Sequence, residues 1–263
     1  PVSGKPVATG EGICLPLGAK IQADDIFFAS GGGGTNTAAT FERQNLKTAY
    51  CGMVGDDYLG NLLTDELKKN NIDVQFVFKT KKKSTNTSVF LTCPGKDRTV
   101  LVYRGASDLL TENNIPWQQI KKTRWLYLAP FSGALTNLTD DLIIFAKKNK
   151  IKTALNPGYN QLTMPQKRLE KILESVDILI LNQEEASLLT HIPYQKESEI
   201  FQKIDALCQG ITIMTKGDEG AAVSDGKFFY RATPPPTKVV DKTGAGDAFG
   251  AGFVAGIIHR NNI

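Results

Sequence analysis

Short apolar runs alternate with amphipathic stretches along most of this chain. Thr48 to Val54, Trp125 to Ala129, Lys152 to Leu155, Val176 to Leu181 and Ile211 to Thr215 read as strands, each short, apolar and bounded by polar or turn-forming residues. Leu59 to Asn70, Thr139 to Lys150, Gln166 to Ser175 and Glu197 to Cys208 read as the helices around and between them, and Ala39 to Leu46 as a further helical run. Strands and helices in alternation predict an α/β fold, with a mostly parallel sheet covered by helices on both faces. Ala221 to Ser224 and Lys227 to Ala232 look like a hairpin turning at Asp225-Gly226.

Two regions break the alternation. Gly12 to Phe28 carries short extended runs on either side of Gly18, and Thr87 to Arg104 reads as two strands joined by Pro94-Gly95-Lys96-Asp97. A chain of 263 residues, 41% hydrophobic, can bury a substantial core, and one large α/β domain suits that length as well as two small ones. The formal charge is only +4. The one dense basic run, lysines 79, 81, 82 and 83, reads as a solvated turn, too short and too poor in aromatics for nucleic acid.

Cysteines 14, 51, 93 and 208 are scattered with no CxxC pair, which argues against a zinc site or a disulfide framework. With no basic-then-apolar leader pattern and no run approaching a membrane span, the expectation is a soluble cytoplasmic protein with no membrane partner. His191 and His259 lie apart from every motif and are given no role.

The segment with most chemical content is Val240 to Gly252, VDKTGAGDAFGAG. Thr243-Gly244-Ala245-Gly246 is small enough for a polyphosphate to approach the backbone, and Ala248 to Ile258 reads as a buried helix. The first N–H groups of that helix have no partner within it, so with the helix dipole they form an anion site. Asp247 sits where the cradle becomes helix. A carboxylate beside a phosphate is a cost unless it has a task, such as taking the proton from a hydroxyl that attacks phosphorus. The plainer alternative is an ordinary tight turn with Asp247 as a cap.

Asp241, Thr243, Gly244, Ala245, Gly246 and Asp247, in that order, resemble the signature of the ribokinase or PfkB family of carbohydrate kinases. The resemblance implies that Gly244, Ala245 and Gly246 form the anion hole and that Asp247 is the catalytic base. Upstream, Gly31-Gly32-Gly33-Gly34-Thr35-Asn36 is similar to the segment that meets the sugar, so Gly31, Gly32 and Asn36 carry over as substrate-binding; taken alone, it would pass for a flexible linker. Asn182-Gln183-Glu184-Glu185 looks like the family's Asn-x-x-Glu element, which implies that Asn182 and Glu185 hold magnesium partly through water, although first-turn acids are also favoured by a helix dipole. Thr215, Gly217 and Gly220 match the nucleotide-binding Thr-x-Gly-x-x-Gly segment. Thr243 and Asp241 are implied at the nucleotide and at a monovalent-cation site, where potassium serves in many members.

The resemblance implies a ribokinase-like three-layer α/β/α sandwich with a small β-sheet lid, one domain over residues 1–263, the lid coming from about 11–30 and 86–104. Such lids pair with a second subunit in many members, which implies a homodimer. Arg104, at the end of the second lid strand, is a candidate for the substrate, with an exposed surface arginine as the plainer account. The pattern departs at both ends: Pro1 to Thr9 does not supply the usual first strand with its Asp, and the chain stops soon after the helix that follows Asp247. The implied activity is ATP-dependent, magnesium-requiring phosphorylation of a hydroxymethyl group on a small sugar. A nucleoside kinase and a catalytically silent sugar- or nucleotide-binding regulator stand as alternatives.

Overall fold

The computed structural model describes residues 13, 15–92, 98–239 and 242–260. In chain order the elements are α1 (Gly33–Arg43), β1 (Ala49–Gly55), α2 (Tyr58–Lys69), β2 (Asp73–Thr80), β3 (Thr87–Leu91), β4 (Thr99–Tyr103), α3 (Trp117–Ile120), β5 (Trp125–Leu128), α4 (Thr139–Lys148) and β6 (Lys152–Leu155). They continue as α5 (Tyr159–Leu162), α6 (Gln166–Leu173), β7 (Ile178–Asn182), α7 (Gln183–Thr190), α8 (Glu197–Leu207), β8 (Ile211–Thr215), β9 (Ala221–Ser224), β10 (Phe229–Ala232) and α9 (Ala245–Arg260). Two compact units are present: residues 1–29 with 87–103, and residues 30–86 with 104–263.

The larger unit is built on a six-stranded sheet ordered β10-β9-β8-β7-β6-β5. Strands β5 to β8 run parallel, and β9 and β10 extend the edge as the expected antiparallel hairpin. The middle strands are buried on both faces, which is why they read as unbroken apolar runs. Side chains still alternate by face. Leu179 and Leu181 enter a cluster with Ile143, Ile172, Ile200 and Ile204 from α4, α6 and α8. Ile178 and Ile180 point the other way, into a cluster with Val254 of α9 and Phe41 of α1. Helices therefore cover both faces, and α1 and α9 share one of them.

Strands β1 and β2 form their own parallel pair, with α2 between them in sequence. The approach at this corner is close: Asp57 caps α2 by accepting from the Gly60 N–H and also accepts from the Thr85 hydroxyl and N–H. These bonds hold the Asp57 carboxyl below its ordinary range, against the opposing effect of its surroundings.

In the smaller unit β3 and β4 form an antiparallel pair, with Val89, Phe90, Leu101 and Val102 exposed, while the expected turn at Pro94-Gly95-Lys96-Asp97 lies outside the described residues. The extended runs expected between Gly12 and Phe28 are not found: residues 13 and 15–29 contain no strand, only a turn at Leu17-Gly18. Among the described residues that stretch pairs with no strand, and Leu15, Leu17, Ile21, Ile26, Phe27 and Phe28 are all exposed. The helix expected from Ala39 begins six residues earlier, at Gly33, inside the glycine run. Of the cysteines, Cys51 and Cys208 are free thiols, while Cys14 and Cys93 lie outside the described residues. No helix among the described residues is long and apolar enough to cross a membrane.

Candidate active site

Two helix starts meet at the site. Gly32, with φ 106°, is the N-cap of α1, and its carbonyl accepts the Asn36 N–H at 3.0 Å and the Thr35 hydroxyl at 2.9 Å. Gly33 and Gly34 begin the helix because neither has room for a side chain. A Cβ on Gly33 would stand 2.9 Å from Pro130, and one on Gly34 would stand 2.9 Å from the Tyr50 ring. This close approach turns Asn36 toward the start of α9, where its amide Nδ2 donates to the Asp247 carboxylate at 2.8 Å. Gly31 and Gly32 are exposed at the same end.

At the start of α9, Gly244 takes φ 76° and its carbonyl accepts the Ala248 N–H, closing the first helical bond. A Cβ on Gly244 would lie 3.1 Å from Asn36 Nδ2, so the loop, the amide and the carboxylate are packed together. Gly246, by contrast, faces open space where a side chain would be, and Ala245 and Gly246 are exposed. The Ala245 N–H donates to the Lys242 carbonyl at 3.2 Å, a long bond within the turn. Thr243 is exposed, and Asp241 lies outside the described residues.

Asn182 ends β7 and is the N-cap of α7. Its Oδ1 accepts the Glu185 N–H at 2.8 Å while Glu185 Oε2 accepts the Asn182 N–H at 2.9 Å, a reciprocal capping box. The pair is thus tied together by two reciprocal hydrogen bonds. Burial raises the Glu185 carboxyl above its ordinary value, the Asn182 N–H opposes this, and the charges of Glu184 and Asp247 add to it. Among the described residues, no cluster of three acidic, His or Cys side chains could hold a metal alone. One half-buried carboxylate and an amide suit a magnesium ion that keeps most of its water and rides on phosphates.

Strand β8 pairs Thr215 with Asn182, setting both at the carboxyl ends of adjacent strands. The Thr215 hydroxyl donates to the Leu181 carbonyl at a long 3.4 Å. Gly217, φ 61°, has open space around it, whereas Gly220, φ 93°, has a structural reason to be glycine, since a Cβ there would lie 2.0 Å from the Ala232 carbonyl oxygen. Arg104 is exposed at the start of the 3-10 turn Gly105–Leu109. Tyr127 of β5, whose buried hydroxyl lies against Gly250 of α9, is packed behind the start of that helix. A single tyrosine in an apolar strand, WLYL, gave no signal beyond core packing.

The family model for pfkB family carbohydrate kinases matches residues 8–263. The chain belongs to this family. It is 28% identical over 225 residues to an uncharacterized sugar kinase of Archaeoglobus fulgidus, covering 84% of this chain and 87% of that one. A ribokinase of Lactococcus lactis is 27% identical, with 94% and 78% covered. In three dimensions it resembles Arabidopsis thaliana ribokinase, solved with ribose and ATP, at a TM-score of 0.78 and 22% identity, over 94% of this chain and 80% of that one. The fold is therefore ribokinase-like, and this PfkB protein is a phosphotransferase with an alcohol group as acceptor, a sugar or nucleoside kinase of an ATP-using family.

Proposed function

We propose that this PfkB kinase transfers the γ-phosphoryl group of ATP, with magnesium, to a hydroxymethyl group of a small neutral sugar. The observation that carries the reading is the Asn36 to Asp247 hydrogen bond, which joins the helix start assigned to the sugar with the helix start assigned to phosphate. ATP bound there supplies the electrophilic γ-phosphorus and ADP as leaving group. Asp247 accepts the proton of the acceptor hydroxyl while its oxygen bonds to phosphorus and the bond to the β-phosphate oxygen breaks. The main-chain N–H groups of Gly244, Ala245 and Gly246 meet the charge that develops, for which the Ala245 N–H exchanges its long bond to Lys242.

The open side of Gly246 and of Gly217 supports phosphates lying against bare backbone. Asn182 and Glu185 act on magnesium through its waters, and Thr215, Gly217, Gly220 and Thr243 line the nucleotide. Gly31, Gly32 and Arg104 go to the acceptor, and Asp241 with Thr243 to a potassium ion. Residues 11–30 and 86–104 take the part of the lid within one 1–263 kinase domain, and the exposed apolar side chains of β3 and β4 support a second copy of the chain as partner there.

The test is ADP release measured with magnesium, with and without potassium, across pentoses, hexoses and nucleosides. Release with a pentose or hexose supports the reading, and release with nucleosides alone replaces the acceptor. ATP binding without release in any arm would leave a silent binding protein and overturn the reading.

A further inference from the structure

The turn that follows β8 is soft by its own composition. Gly217 and Gly220 take positive φ, 61° and 93°, and glycine leaves a backbone its widest freedom. Within the turn the Lys216 N–H donates to the Gly220 carbonyl at 2.8 Å, and the N–H groups of Glu219 and Gly220 make long bonds of 3.2 Å to the carbonyls of Lys216 and Gly217. One side chain of this surface turn is nonetheless buried. Lys216 is only 11% exposed, and its ammonium lies 2.9 Å from Glu197 Oε2 and 3.0 Å from Glu219 Oε2.

This anchor lies across the sheet from the phosphate cradle. Met214 packs with Ile200 and Ile204 of α8, and Ile213 with Val254 of α9. Successive strand residues alternate by face, so Thr215 at the end of β8 belongs to the α9 face. Lys216 reaches the other way, to Glu197, the first residue of α8. Glu197 is itself 18% exposed, and Arg231 Nη2 of β10 stands 3.3 Å from its other oxygen, a contact of charges without an aligned hydrogen bond. The bonds to Glu197, then to Glu219, raise the Lys216 ammonium above its ordinary value, so it stays charged. A secluded ion pair is weak ground for stability, because apolar side chains fill such a place as well. What the pair holds in place is the better account of it.

We propose that Lys216 is a positioning residue of the nucleotide site: anchored to Glu197 on one face of the sheet, it holds the turn so that the Thr215 hydroxyl, on the opposite face, and the bare backbone of Gly217 are set for the ATP phosphates. The ammonium binds carboxylates, not ATP. Its effect is to order in advance a backbone that the nucleotide would otherwise have to order on binding. The inference rests on the reading of Thr215 and Gly217 as nucleotide-lining.

The experiment compares wild type, Lys216→Met, Glu197→Gln, the double variant and Thr215→Ala. It measures turnover at varied ATP and varied acceptor, the Kd of ATP with magnesium, and thermal unfolding. Lys216→Met keeps the apolar stem and leaves Glu197 facing Arg231, so the protein is expected to fold. It should raise the KM and Kd of ATP roughly tenfold, the worth of a hydrogen bond between charged groups, with the acceptor KM unchanged and kcat at saturating ATP nearly so. Glu197→Gln should move the ATP constants the same way but less far, and the double variant no further than Lys216→Met, because the two residues act as one unit. A lowered melting temperature with wild-type ATP constants would assign the pair to folding alone and overturn the inference, as would additive effects in the double variant. If Thr215→Ala binds ATP as wild type does, the nucleotide reading of the turn has failed and the inference with it. If Thr215→Ala weakens ATP binding while Lys216→Met does not, only the role of Lys216 falls.

Discussion

Asn36 and Asp247 are 211 residues apart in sequence, and the amide of one donates to the carboxylate of the other at 2.8 Å. The bond fixes the orientation of the carboxylate, and the amide donates to it without bringing a charge to the site. It also gives Asn36 a second task beside the sugar contact expected of it. Asn36→Ala should lower kcat roughly tenfold to a hundredfold, as expected for loss of a hydrogen bond to a charged group. Asn36→Asp should behave differently. Two carboxylates at one site repel, which favours a proton shared between them, so the activity profile of the variant should move to higher pH. A pH–rate profile of Asn36→Asp that matches wild type would refute this account.

Asp247→Asn removes the proton acceptor but keeps the shape of the α9 start. Turnover should fall by orders of magnitude while ATP with magnesium still binds. Binding is read as thermal stabilisation, about 2.7 kcal/mol when ligand is a hundredfold above its Kd. Retained turnover would refute the assigned base, and loss of the ATP-dependent shift would mean that the variant had damaged the cradle.

Gly220 and Gly244 separate packing from chemistry. Both have positive φ, which costs about 1–3 kcal/mol for a residue with a Cβ. At Gly220 the new carbon would also meet the Ala232 carbonyl oxygen at 2.0 Å, so the edge of the sheet must move. At Gly244 it would meet only the Asn36 amide, at 3.1 Å. Gly220→Ala should therefore lower the melting temperature more than Gly244→Ala does, and Gly244→Ala should lose more kcat per degree lost. Equal ratios in the two variants would argue that Gly244 acts through packing alone.

The sheet was legible in the sequence where strands are buried on both faces, as in Ile178–Asn182 and Ile211–Thr215, because burial alone dictates their composition. Strand β2 escaped notice because Asp73–Thr80 mixes exposed and half-buried positions and runs into the lysines read as a turn. Lys79 in fact lies within it, bonded to Asn61. The glycine run hid the start of α1, since glycine is a poor helix former and only the close approach of Tyr50 and Pro130 calls for it there. Motifs gave the residue types of the site, but the Asn36 to Asp247 bond and the place of Tyr127 are products of tertiary packing.

Away from the site, Arg168 of α6 ties down the start of α4. Its guanidinium pairs with the Asp140 carboxylate, each side chain a little under a third exposed, and also donates to Asn137. The Arg168 bonds hold the Asp140 carboxyl below its ordinary value, outweighing its partial burial. A carboxyl depressed on folding stabilises the protein above its unfolded pKa, about 3.9, and that contribution is lost as pH falls through the folded value. Arg168→Met should therefore lower the melting temperature at neutral pH, and the gap from wild type should narrow below about pH 4. It should not close entirely, because the bonds to Asn137 do not titrate. Thermal unfolding of the two proteins between neutral and acid pH decides this, and a gap independent of pH would assign the whole effect to Asn137 and to packing.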